Sequence, residues 1–454
     1  MELKRIRSRS KILLFISMLM FMVLVIAYAK LEWRLPGAPM DTTDVLRGRI
    51  LSEDGTILAQ SVHDPATGLQ KRIYPQKTLA GALLGVLGTD RGLSGLELFY
   101  QEELASGRDV IVTLDPSIQT VLESQMNRYA TENQGVYGSA VILDTPTGKI
   151  LAAASWPTFD PNNWRNYPTE RWRNRPFVDS YEPGSVIKAL VVAGILNDGK
   201  THPEQTFDTP MWRAIGNNRI RDAVQHPPRL TTREILRYSS NVGMSHLVQN
   251  YPDQSLYDYL KQYGFGEATP IENLYTEDGV VYPPSRWSDI MKVNMSFGQG
   301  MTTNTVQVAA AYNTLANDGQ YTAPYLVAVD RIREERQVLT ETTARTMRDL
   351  LRRVVDDGIK TAAGIPGYDI GGKSSTAQVV VNGRYSNEIY NSLFAGFFPA
   401  NQPKVTMVIM VHGAKKNYFG SMLAAPIFRD VTSEMVSQWG FPPDWKRLQE
   451  KAKP

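Results

Sequence analysis

No cysteine occurs among the 454 residues, which excludes disulfides and thiolate metal sites. Histidine is scarce. His63, His202, His226, His246 and His412 are scattered without paired-ligand spacing, which argues against a metal-dependent enzyme. The formal net charge is only +3, too small to argue for nucleic-acid binding. Arg165, Arg171, Arg173 and Arg175, with Trp164 and Trp172, make one basic, aromatic stretch. In a chain so close to neutral it reads as a solvated loop against a domain edge. A glycine-rich nucleotide loop is missing, because Gly298-x-Gly300 lacks a third glycine and a preceding strand. Internal repeats are missing too.

What the chain does have begins with one long apolar run. Lys4, Arg5, Arg7, Arg9 and Lys11 precede it, and it extends from Ile12 to Ala29. That is about the length of a bilayer-crossing helix. The basic flank predicts a cytoplasmic tail over 1–11 and an extracytoplasmic location for everything after Lys30. Trp33 suits an interfacial anchor. Ala27-Tyr28-Ala29 has the small-x-small form of a cleavage site, so a cleaved signal peptide is the competing reading. The length of the run favours a retained, single-pass anchor in the cell membrane.

Residues 30–108 read as a small membrane-proximal module. It opens with a polar stalk and continues with a hairpin about Asp54-Gly55 and a short helix over Leu79–Leu87. The large domain is expected over 109–440, with a tail at 441–454. Val110–Leu114 reads as a strand, and Asp115 as the cap of a helix starting at Pro116. Ala140–Leu143 and Lys149–Ala154 form a second hairpin, and 157–181 an irregular loop. Helical periodicity marks Val186–Leu196, Thr232–Ser239, Val242–Gln249 and Thr305–Ala316. Strands return at Ser374–Val381, Ser392–Phe398 and Val405–Val411, before a last helix over Ala425–Trp439. Strands at both ends with a helical middle predict an α+β fold: a mainly antiparallel sheet flanked by helices.

Three segments carry the chemistry. Ser185 follows Glu182-Pro183-Gly184 at the start of an apolar helix, where the helix field favours developing negative charge. Lys188 lies three residues on, on the same helix face. A buried lysine near another cation loses its proton readily and becomes a base. Ser239-Ser240-Asn241 offers a hydroxyl to shuttle a proton and an amide to orient a lysine; taken alone it is a polar helix–helix turn. Lys373 opens a strand after Gly371-Gly372, and its charge would attract a carboxylate-ended substrate. Thr376 offers its backbone N–H to an oxyanion and its hydroxyl to that carboxylate. Each segment alone is modest. Their order and placement together point to a serine acyl-transfer enzyme that uses no cofactor and no metal.

On these motifs the chain resembles the class B penicillin-binding proteins, the monofunctional D,D-transpeptidases that crosslink peptidoglycan. Arg47-Gly48-Arg49-Ile50, Gly95-Leu96-Glu97, Phe297-Gly298-Gln299-Gly300 and Ala395-Gly396-Phe397 also look familial. The resemblance implies a penicillin-binding transpeptidase-like domain on a small pedestal with one transmembrane helix. It implies Ser185 as the acylated nucleophile, Lys188 as its base, Ser239 and Asn241 as relay and orienter, and Lys373, Ser374 and Thr376 as substrate-binding residues. It further implies oxyanion donors at the backbone N–H groups of Ser185 and Thr376. Ser375 departs from the pattern, since the family carries glycine there. A side chain at that point has to fit where the strand nears the serine-bearing helix, and slower β-lactam acylation is the expected result.

The expected function is crosslinking of peptidoglycan stem peptides through an acyl-enzyme on Ser185, in septal cell-wall synthesis. β-lactams are the expected covalent inhibitors. A polytopic glycan polymerase of the SEDS class and other division proteins are the expected partners. Two alternatives stand beside this. One is a non-catalytic or weakly catalytic scaffold that activates a polymerase. The other is a D,D-carboxypeptidase or β-lactam hydrolase on the same scaffold.

Overall fold

The chain alternates apolar residues on both sides of its central strands, and the computed structural model shows why. Five strands form one antiparallel sheet: β5 (Tyr137–Asp144), β6 (Ile150–Trp156), β7 (Gly371–Val381), β8 (Arg384–Phe398) and β9 (Val405–His412). Their spatial order is β7-β8-β9-β5-β6, every pair antiparallel. Along β9, Val408 and Met410 enter one apolar cluster, whereas Val405, Met407, Ile409 and Val411 enter the other. The period of two therefore divides a single strand between two cores.

Helices cover both faces. The first cluster takes residues from α2 (Ile187–Asn197), α5 (Thr305–Ala316) and α6 (Glu341–Gly358). The second takes residues from α1 (Pro116–Glu132) and α7 (Ala424–Trp439). One cap, Asp115, is the one the sequence suggests, and a second is found on α5. Asp115 accepts from the N–H groups of Ser117 and Ile118 ahead of Pro116, and Asn304 with Gln307 closes a capping box on α5. The α+β arrangement, an antiparallel sheet flanked by helices, is the one expected.

The structure describes residues 11, 14–24, 46–65, 69–328 and 334–443. Of the span expected at 12–29, residues 14–24 are helical and exposed, and the others lie outside the described residues. The expected stalk up to residue 45 and tail from 444 also lie outside them, as does the cytoplasmic tail but for Lys11. Among the described residues no helix is long and apolar enough to cross a membrane.

A smaller sheet, ordered β3-β2-β1-β4, is built from β1 (Ile50–Ser52), β2 (Ile57–His63), β3 (Gln70–Ile73) and β4 (Val110–Val112). Ile50, Leu58 and Val110 join the same apolar cluster as Val141 and Ile187. Beside this sheet the carboxylate of Glu97, fully buried, meets Arg47 Nε at 2.8 Å and Arg72 Nε at 2.7 Å. The same guanidinium groups donate to the carbonyls of Glu97 and Gly48.

Candidate active site

The Pro183-Gly184-Ser185 entry makes a tight 3-10 turn, Gly184–Val186, that runs straight into α2. Gly184 sits at φ +60 and donates its N–H to the Gly298 carbonyl at 3.0 Å. A β-carbon on Gly298 would lie 2.3 Å from the Gly184 carbonyl oxygen, so the Phe297–Gly300 segment clamps this turn only because it is glycine there. Tyr312 Oη on α5 donates to the Val186 carbonyl at 2.8 Å. Ser185 is left partly exposed at the helix start. Among the described residues no hydrogen bond reaches its Oγ, and its N–H donates to Ser375 Oγ at 2.8 Å.

One turn on, Lys188 is fully buried within a helix whose residues from Ile187 to Ile195 are all buried. Its Nζ donates to Asn241 Oδ1 at 2.7 Å, to Ser239 Oγ at 3.2 Å and to the Ser239 carbonyl. The Phe297 ring lies 5.8 Å from Nζ. A buried ammonium needs such acceptors, because desolvation alone would expel it.

The Ser239-Ser240-Asn241 turn lies between α3 (Thr232–Tyr238) and α4 (Asn241–Gln249). Ser239 ends α3 in the left-handed conformation, φ +56, which turns both its carbonyl and its hydroxyl toward lysine amines. Ser240 caps α4 by accepting from the Gly243 N–H at 2.7 Å. Asp222 anchors the turn from the side. It accepts from Ser240 Oγ at 2.6 Å and from the N–H groups of Asn241 and Val242, and its other contact is His226 Nε2 at 2.8 Å.

The third element is β7, at the edge of the sheet. Lys373, 2% exposed, donates to Ser239 Oγ at 3.0 Å and to the Ser374 carbonyl at 3.1 Å. One hydroxyl therefore joins Lys188 and Lys373. Ser375 is buried on the same face of the strand as Lys373, two residues on. Ser374 and Thr376 point the other way and are half-buried. Thr376 Oγ1 accepts from the Gly420 N–H at 2.9 Å, which leaves its own proton to donate.

Electrostatics follow from this burial. Desolvation holds the Lys188 amine well below the usual lysine range, the Lys373 charge pushes it further, and Asp222 partly opposes. Burial brings Lys373 down to about 8. Lys188 thereby gives up its proton far more readily than an exposed lysine, as a base must.

All three expected segments meet here. Hydrogen bonds join Lys188, Ser239, Asn241 and Lys373 into one set and Ser185 with Ser375 into a second, and Ser374 and Thr376 lie on the same strand as Lys373 and Ser375. The reading from sequence misses Asp222 and Tyr312. A lone aspartate between short strands has no local signature, and a core tyrosine betrays its hydroxyl's partner only in three dimensions.

Residues 138–433 match the penicillin binding protein transpeptidase domain. The probable peptidoglycan D,D-transpeptidase PbpC of Pseudomonas aeruginosa is 30% identical over 408 residues, covering 82% of this chain and 72% of that protein. The peptidoglycan D,D-transpeptidase FtsI of Escherichia coli K12 is 29% identical over 406 residues, covering 82% and 68%. Among solved structures, penicillin binding protein 3 of Mycobacterium tuberculosis in its apo form superposes with a TM-score of 0.84 at 29% identity, covering 88% of this chain and 97% of that one. Its complex with ampicillin gives 0.84 at 28% identity, with the same coverage.

Proposed function

This chain belongs to the penicillin-binding protein transpeptidase family, alongside class B peptidoglycan D,D-transpeptidases, and on that premise we propose a mechanism and a setting for it. The observation that carries the mechanism is Ser239 Oγ lying between two buried lysine amines, 3.0 Å from Lys373 and 3.2 Å from Lys188, which itself sits one turn from Ser185.

Ser185 Oγ attacks the penultimate D-Ala carbonyl of a stem peptide, and neutral Lys188 takes its proton. The carbonyl oxygen, now negative, lies against the N–H groups of Ser185 and Thr376. Lys188 returns the Ser185 proton through the Ser239 hydroxyl to the departing amine, the C–N bond breaks and terminal D-Ala leaves. Asn241 keeps Lys188 oriented through its side-chain oxygen. Lys373, with the hydroxyls of Ser374 and Thr376, holds the terminal carboxylate. An amine of a neighbouring stem then resolves the acyl-enzyme and completes the crosslink. β-lactams enter the first half of this sequence and remain on Ser185.

The setting we propose is the cell membrane. The apolar run at 12–29 anchors the chain as a single pass with its N-terminus in the cytoplasm, and the enzyme works outside. A septal role supports itself on the likeness to a protein named FtsI. A SEDS-class polymerase is the proposed membrane partner of the module over 30–108. Gel electrophoresis with a fluorescent penicillin tests the core of this reading. The wild-type chain is expected to carry the label and Ser185→Ala to lose it; a label that survives the substitution overturns Ser185 as nucleophile.

A further inference from the structure

The Ser185 N–H is one of the first donors of the nucleophile's helix, a group with no partner inside that helix. The proposed mechanism needs it at the oxyanion. In this structure it is already engaged by Ser375 Oγ at 2.8 Å. Ser375 is 2% exposed, so water competes poorly for the bond. A β-carbon on Gly184 would lie only 2.5 Å from Ser375 Oγ. The hydroxyl therefore sits in the notch left by the missing side chain of Gly184. Among the described residues it has no other hydrogen-bond partner.

We propose that Ser375 is a latch on the oxyanion hole. Its hydroxyl holds the Ser185 N–H in the resting enzyme and has to turn away before a carbonyl oxygen takes that donor. The inference rests on the acyl-transfer reading above. As Ser185 Oγ bonds to the carbonyl carbon, its proton moves to Lys188 and the C=O π pair moves onto oxygen. That oxygen accepts the Ser185 N–H as Ser375 Oγ releases it. Ser375 is thus a positioning residue that sets rate without joining the bond changes. A glycine in its place would leave the N–H free beforehand, and alanine would do the same while keeping the β-carbon.

Giving up one hydrogen bond on the way to the transition state slows acylation roughly tenfold. Stopped-flow acylation of the full-length chain by benzylpenicillin, run to saturation, separates the first-order acylation constant from the dissociation constant of the prior complex. Ser375→Ala and Ser375→Gly are expected to raise the first-order constant roughly tenfold with the dissociation constant unchanged. Ser375→Thr, which keeps the hydroxyl, is expected to show no gain. Thermal unfolding of each variant identifies any that fold poorly, and Ser375→Gly stands in should alanine do so. If neither small variant acylates faster than wild type, the latch is wrong; a slower Ser375→Ala would make the hydroxyl an oxyanion donor instead. If wild type itself forms no adduct on Ser185, the acyl-transfer reading fails first, a result visible without any substitution.

Discussion

Two amines share one hydroxyl in this site, and their titrations oppose each other in function. In the proposed mechanism Lys188 has to be neutral to accept the Ser185 proton, whereas Lys373 has to be charged to hold a carboxylate. The acid limb of acylation therefore follows Lys188, displaced far below 10.5 by burial and by its neighbour's charge. The alkaline limb follows Lys373, which loses its proton at about 8. A carboxylate-bearing penicillin is expected to give a bell-shaped rate profile. An acylating agent without a carboxylate is expected to keep the acid limb and lose the alkaline one, and rate measurements across pH check both. The same displacement links to stability. An unfolded lysine keeps its proton up to 10.5 and folded Lys373 only to about 8. The unfolded state thus binds more protons in that window, and raising the pH through it favours the folded enzyme.

At the scale of elements, the turn between α3 and α4 matters most. It presents two oxygens of Ser239 to the lysines only because Asp222 pins it with its side-chain oxygens. Asp222→Ala would strip partners from two backbone N–H groups and a buried hydroxyl. Urea unfolding is expected to show a loss of about 2–4 kcal/mol, and penicillin acylation should slow because Asn241 loses its support. Elements carrying their own boundary signals were legible in the sequence. Thr305–Ala316 is a helix over the expected residues, fixed by its capping box, and the strands from Gly371 to His412 differ from expectation mainly in length. No element is expected over 341–358, yet an 18-residue helix lies there. Its apolar stripe, Ala344, Met347, Leu351 and Val354, has helical spacing but is interleaved with charges such as Arg345, Asp349, Arg352 and Arg353. Those charges pair along the helix surface and dilute the stripe. Within the site, the three motifs were legible as segments. Ser239 as the shared link between the two lysines was not, since a left-handed turn residue reveals its direction only when folded.

At the scale of the whole molecule, segments that look separately familial in the sequence turn out to be neighbours. Arg47 and Glu97 lie 50 residues apart and meet in a buried ion pair, with Arg72 on the carboxylate's other oxygen. Glu97→Ala would leave two guanidinium groups facing each other without water or a counter-charge. A loss of about 3–5 kcal/mol is expected in chemical denaturation, whereas breaking the exposed Arg49–Asp109 pair should cost well under that. The active site spans greater separations still. The Lys373–Ser239 bond crosses 134 positions and the Ser185–Ser375 bond 190. In a chain synthesised from its N-terminus, the nucleophile emerges long before the strand that completes its surroundings. Under the proposed mechanism the serine is an ordinary alcohol until that strand arrives, so the order of synthesis itself withholds reactivity until Lys373 and Ser375 have been made.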